Sequence, residues 1–306
     1  MLLFATSDKG GTGRSVTSAN VCYRRALQGS DVAYLDFDFG SPTVGSILNI
    51  ATALRGTESG AGLHSYLRGR VDEPERYNVW TASDRRSLHG RPDGAGKFVL
   101  FPGDAGGGEF ASTDDIIRRC VELLVRIDEE FDVVLVDLSA GRSYATDIVL
   151  AATADEQLRE VMSRWLVFHR WTRQHVIAAH GLVHGDRGII DLGIQRGHDR
   201  GRLAGSIRFV RTAVVDPDAE ELAGLRAEQI AWLRTFNGEL RELASRFRVG
   251  RTSQLGSVPL DPVLQWREQL ISDADVMIRQ IANRATVDAF ELIAKRLDDD
   301  DSWTVL

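Results

Sequence analysis

Only two cysteines, Cys22 and Cys120, occur in 306 residues. That number cannot staple a fold together, and their separation excludes a CxxC zinc or redox motif. No apolar run reaches the ~18 residues a membrane-spanning helix needs. The first apolar stretch, Leu2 to Ala5, is too short for a secretory leader and lacks its basic start, so a cytoplasmic location is expected. Lysine is scarce. Lys9, Lys97 and Lys295 are the only ones among 37 basic residues, so a lysine in a chemically demanding position stands out. Positive charge is also in deficit overall, at a formal −7, which disfavours a globally basic nucleic-acid binder. No internal repeat is present. The 43% hydrophobic and 26% charged content is that of an ordinary globular chain, long enough to bury a large core.

Charge is unevenly spread. Residues 164–211 hold nine Arg against three Asp, and five of the seven His. Trp165 and Trp171 stand near Arg170 and Arg173 there. Basic plus aromatic character suits a grip on nucleic acid or an acidic partner; a strand edge with solvated arginines is the plainer alternative.

Short apolar runs alternate with helical patterns. Leu2–Ala5 reads as a strand ended by a glycine loop. Val16, Ala19, Cys22 and Ala26 follow at helical spacing, closed by Gly29. Strands are expected at Val32–Leu35, Phe98–Phe101, Val133–Val136, Trp165–Phe168 and Ile207–Val215. Helices are expected at Leu63–Leu67, Ile116–Ile127, about 218–247 and about 278–297. The long one carries Leu233, Phe236, Leu240, Leu243 and Phe247 on one stripe, which suits packing on a sheet or a coiled-coil seam. Residues 55–95 and 184–205 read as irregular, the latter exposed. Continuous apolar strands between amphipathic helices indicate an α/β fold with a mostly parallel central sheet and helices on both faces.

The octapeptide Asp8-Lys9-Gly10-Gly11-Thr12-Gly13-Arg14-Ser15 is the most informative segment. A phosphate cradle needs glycines that let backbone N–H groups turn onto oxygens. It needs a helix N-terminus behind them, a cation for the outer phosphates and a hydroxyl for Mg²⁺. Gly10, Gly11 and Gly13 supply the turn, Arg14 the cation and Ser15 the hydroxyl. The pattern GxxxxGK[ST] is broken twice, by Asp8 and by Arg14. A ligand-free strand–helix turn is the simpler alternative. Against it, Asp36 and Asp38 end the second strand and Asp137 ends the fourth. In an open parallel sheet, ligands sit outside the carboxyl ends of strands.

These residues carry a resemblance. The loop Lys9–Ser15 resembles the deviant Walker A motif, KGGxGK[ST], of the ParA/MinD family, Mg²⁺-ATP-dependent dimeric switches of the SIMIBI class of P-loop proteins. Asp36-Phe37-Asp38-Phe39-Gly40 is similar to the second motif of that family. Val134–Asp137 with Gly141 resembles its Walker B strand and switch, and Val258–Asp261 its late adenine-side loop. The likeness covers residues 1–153 in order and spacing, and 207–271 more loosely. It implies one three-layer P-loop NTPase domain over 1–306: a motif-bearing core 1–153, a variable Arg-rich segment 154–206, and a sheet completion 207–306. Residues 154–164 look like an insertion before the fifth strand.

The resemblance implies roles by position. Lys9 would reach the nucleotide of a partner copy. Gly10, Gly11, Thr12, Gly13, Arg14, Ser15 and Val16 would hold ATP phosphates. Ser15, with Asp137 through water and Asp36 nearby, would hold Mg²⁺. Asp38 would position the attacking water, and Gly141 would sense the γ-phosphate through its N–H. Pro259, Leu260 and Asp261 would pack by the adenine. Lys9, Asp38 and Arg14 would then carry a slow ATP hydrolysis, which is mainly positioning and charge neutralisation. An ATP-dependent homodimer acting on a protein partner is implied. The alternative is a nucleotide-binding module with little or no hydrolysis that scaffolds a partner complex. Arg14 keeps the charge of the expected lysine but is a wider, planar fork. Arg211-Thr212 stand where the family often has an adenine-reading Asn.

Other candidates read as structural. Cys22 lies on an apolar helix face, and Cys120 does not match the iron–sulfur cysteines of the related nitrogenase iron proteins. His180 and His184, at i,i+4, make half a metal site that no neighbouring ligand completes. Asp298–Asp301 after the terminal helix would repel an anionic leaflet, so membrane binding is not expected.

Overall fold

The computed structural model describes residues 1–219 and 224–304. Eight strands form one sheet: β1 (Leu2–Thr6), β2 (Val32–Phe37), β3 (Tyr77–Asn78), β4 (Phe98–Phe101), β5 (Val133–Leu138), β6 (Ser163–Arg170), β7 (Ile207–Val214) and β8 (Gln254–Pro259). Their order is β3-β4-β2-β5-β1-β6-β7-β8. All neighbours are parallel except β3, which runs antiparallel along β4. The central strands read as continuous apolar runs because both faces are covered. Leu2, Phe4, Leu35 and Val136 pack into one core with the helices Asp114–Glu130, Tyr144–Thr153 and Arg173–His184. Leu3, Ala5, Tyr34 and Leu135 pack into the other with the helices Arg14–Leu27 and Arg284–Arg296.

Pairing register positions the site. Asp137 on β5 is opposite both Ala5 on β1 and Asp36 on β2. The loop after β1 and the carboxylates ending β2 and β5 therefore meet at the carboxyl ends of the central strands.

Several elements differ from expectation. The segment 184–205 is exposed along much of its length, as expected, but it is not irregular. It forms two short helices, Ile189–Gln195 and Arg200–Gly205, which bury Ile189, Ile190 and Leu203. The long helix spans Ala227–Arg246; residues 217 and 218 form a turn, and 220–223 of the expected range lie outside the described residues. Its stripe packs on the sheet side through Leu240, with Phe236, Leu243 and Phe247 partly buried. The terminal helix begins at Arg284 rather than near 278, because Ile278 and Ile281 are exposed and continue only the apolar pattern. Residues 154–162 form a turn anchored by buried Leu158 ahead of β6.

Candidate functional site

The cradle is built from backbone. The chain leaves β1 at Thr6 and enters the helix at Arg14, with Gly13 as its N-cap. Gly11 and Gly13 take φ of 72° and 74°, a left-handed conformation that costs glycine almost nothing. Thr17 N–H donates to the Gly13 carbonyl at 2.9 Å, closing the first helical turn. The N–H groups ahead of it are the unpaired donors that suit an anion. Thr212 Oγ1 donates to the Thr12 carbonyl at 2.5 Å, fastening the loop to the end of β7. Lys9, Gly10 and Gly11 are exposed, while Val16 is buried.

Arg14 does not project into the cradle as a free cation. Its side chain turns under the loop, where Nε donates to Asp137 Oδ1 at 2.5 Å and Nη2 donates to Asp38 Oδ2 at 2.9 Å. Nη2 also lies 3.4 Å from Ser15 Oγ. Tyr34, buried on β2, donates its hydroxyl to Asp137 Oδ2 at 2.8 Å. Asp137 is 0% exposed and Arg14 6%. Burial by itself would lower the Arg14 pKa, but Asp137 and then Asp38 outweigh it and raise it, so the guanidinium stays charged. Asp36 accepts from the N–H groups of Val44 and Asp38 at 3.2 and 3.3 Å. Burial, and then the Asp137 charge, push the Asp36 carboxyl well above its ordinary range.

These contacts decide whether the expected metal set fits. Mg²⁺ demands oxygen donors in tight octahedral geometry. Both Asp137 oxygens already accept hydrogen bonds, Ser15 Oγ lies beside the guanidinium, and the Asp36 oxygens accept the Val44 and Asp38 N–H groups. Ser15, Asp36 and Asp137 as arranged do not fit Mg²⁺.

Two clefts flank the cradle and share Gly11, Thr12, Gly13, Val16 and Glu268 in their walls. The one on the carboxylate side, about 150 Å³, is also lined by Ser15, Asp38 and Ala140. The other, about 210 Å³, reaches Arg170, Thr212, Pro259 and Leu264. Leu260 is held by its N–H to the Val214 carbonyl at 2.9 Å. Asp261 is buried and caps the next short helix, accepting from Val263 N–H at 3.1 Å and Thr286 Oγ1 at 2.8 Å. Gly141, at φ 78°, donates its N–H to the Ser7 carbonyl at 2.7 Å, which ties the loop after β5 to the cradle. Tyr34 and Glu268 were not anticipated. Tyr34 carried a usable signal, since it lies two residues before Asp36 on the same strand face.

Part of the basic segment is spent inside the chain, while Arg173, Arg187, Arg196, Arg200 and Arg202 are exposed. Arg164 and Arg208 are buried with their guanidiniums 4.5 and 5.2 Å from the Trp303 ring. Arg211 covers Trp171 at 3.9 Å, and Arg196 pairs with Asp147 at 2.6 Å. Trp165 and Trp171 are core residues, whereas Arg173 is exposed. His180 Nδ1 is 2.7 Å from the Phe247 carbonyl, so it serves helix packing. Both cysteines are buried, and burial pushes the Cys120 thiol up to about 12.

No protein-family model matches the chain, and no curated protein sequence matches it. Solved structures do. A ParA family ATPase from Chlorobium tepidum is 12% identical, with 97% of this chain and 99% of that one covered at a TM-score of 0.56. The septum site-determining protein MinD from Pyrococcus horikoshii, complexed with Mg-ADP, is 14% identical over 98% of both chains at 0.53. A putative plasmid partition protein from Borrelia burgdorferi, bound to AMPPNP, is 12% identical over 96% of this chain and 97% of that one at 0.58. At this identity the likeness defines the fold: the α/β architecture of MinD- and ParA-type P-loop ATPases. No helix among the described residues is long and apolar enough to cross a membrane.

Proposed function

We propose that this chain is a ParA/MinD-like nucleotide-binding protein that holds ATP with little or no hydrolysis and uses it to control association with a partner. The carrying observation is the position of Arg14, buried beneath a glycine cradle and ion-paired to both Asp137 and Asp38. The backbone from Gly10 to Val16 receives the phosphates, and the cleft reaching Pro259 and Leu264 receives the base. Two of the structural neighbours were solved with Mg-ADP and with AMPPNP, which supports a nucleotide as the ligand class. Exposed Lys9 at the rim reaches a second copy in the ATP-bound dimer.

A slow Mg²⁺-dependent ATPase would need Asp38 to orient water and Asp137 to serve a metal, and Arg14 engages both. Phosphate release from ATP is the test. The wild-type chain is expected to turn over barely above background. Arg14→Lys, a compact point charge without the bidentate fork, should free part of the carboxylate pair and raise turnover about tenfold or more. Rapid turnover by the wild type, or none gained by Arg14→Lys, contradicts the assignment.

A further inference from the structure

We propose that the Arg14 guanidinium is a built-in substitute for the divalent cation, so that this cradle takes nucleotide phosphates without a metal. The inference rests on the nucleotide reading above and goes beyond it, since a cradle of this shape could accept either a free nucleotide or its metal complex.

The argument begins with charge. Asp137 is fully buried, and an ionised carboxylate there is costly unless paired and hydrogen-bonded. Its two oxygens are satisfied by Arg14 Nε and by the Tyr34 hydroxyl. The same guanidinium reaches Asp38 Oδ2 and approaches Ser15 Oγ. It therefore contacts Ser15 and Asp137, the hydroxyl and the strand-end carboxylate that a metal at this cradle would use, together with the second motif's Asp38. Guanidinium nitrogens are donors only and cannot coordinate a cation. A dication drawn to Asp137 and Ser15 would also sit within a few ångströms of a fixed positive charge. Two positive charges cannot share that space without strong repulsion in a site this dry.

What the guanidinium offers instead is planar donors at the floor of the cradle. The loop N–H groups and the helix N-terminus add further positive character above it. The carboxylate-side cleft has Arg14, Ser15 and Asp38 in its lining, so a phosphate entering it meets the guanidinium directly.

Titration calorimetry with ATP, run once in excess EDTA and once in millimolar Mg²⁺, tests this on the full-length wild type and on Arg14→Lys. The wild-type Kd should agree within about threefold between the two conditions, and Arg14→Lys should bind at least about tenfold more tightly with Mg²⁺. In parallel, electron paramagnetic resonance of Mn²⁺ should show no Mn²⁺ taken up by the wild type with ATP beyond that held by ATP itself. Wild-type binding that strengthens about tenfold with Mg²⁺, or a protein-bound Mn²⁺ signal, overturns this inference and leaves the nucleotide reading standing. Absence of ATP binding in both conditions overturns the nucleotide reading and this one with it.

Discussion

Asp137 sets the chemistry at the scale of single residues. A carboxylate with no exposure at a strand end must find its counter-charge nearby, and Arg14 is the group the fold delivers. The sequence shows both residues plainly, one in a glycine loop and one after an apolar run. Their pairing was not legible, because it depends on the register that sets β1 and β2 on either side of β5. From the motif alone Arg14 looks like a cation aimed at phosphate. His169 shows a second consequence of burial. It is 1% exposed, and burial, only partly opposed by its bond to the Arg170 carbonyl, lowers its pKa from 6.5 to about 4. The folded chain then binds fewer protons than the unfolded chain between those values. Stability is complete above pH 6.5 and falls as pH drops toward 4, by about 2 kcal/mol from this group at pH 5. Urea unfolding at pH 7.5 and pH 5 should record that loss, and His169→Gln should shrink the difference between the two pH values.

Elements explain what joins the cradle to the rest of the sheet. The first helix begins where Gly13 adopts a left-handed backbone, and its N-terminus faces the loop it follows. The loop is fixed from two sides, by Gly141 N–H on Ser7 and by Thr212 on Thr12. Thr212→Val keeps the shape but leaves the Thr12 carbonyl without this donor, a change worth about 1 kcal/mol or more. Nucleotide affinity should fall several-fold while the fold persists, as calorimetry paired with circular dichroism would show. An unchanged affinity would mean that the β7 tie does not shape the cradle. Strands were legible as elements because short apolar runs rich in β-branched and aromatic residues end at turn residues, as at Pro102-Gly103. The helices at Ile189–Gln195 and Arg200–Gly205 were not, since each is too short, at 7 and 6 residues, to set a helical period. Arg164 and Arg208 looked like part of a solvated stripe for a related reason. Their aromatic partner, Trp303, lies far along the chain from both.

For the molecule as a whole, the mostly parallel sheet and its covered faces were readable from strand–helix alternation, and the site was readable as a place; the strand order was not read from the sequence. The state of the site was not, because it lies in side-chain pairing across three strands. If the chain acts as a nucleotide-controlled dimer, Lys9→Ala should lose ATP-induced association in light scattering with a non-hydrolysable analogue, yet retain ADP binding. Normal dimerisation by that variant would make Lys9 a plain loop residue. The most direct measurement is thermal unfolding of the wild-type chain with millimolar ATP, ADP or GTP. Ligand at ~100-fold over Kd adds ~2.7 kcal/mol to the folded state, a rise of several degrees in Tm for a chain of this size. The account predicts such a rise with ATP. No shift with any of the three nucleotides, in Mg²⁺ or in EDTA, would contradict it.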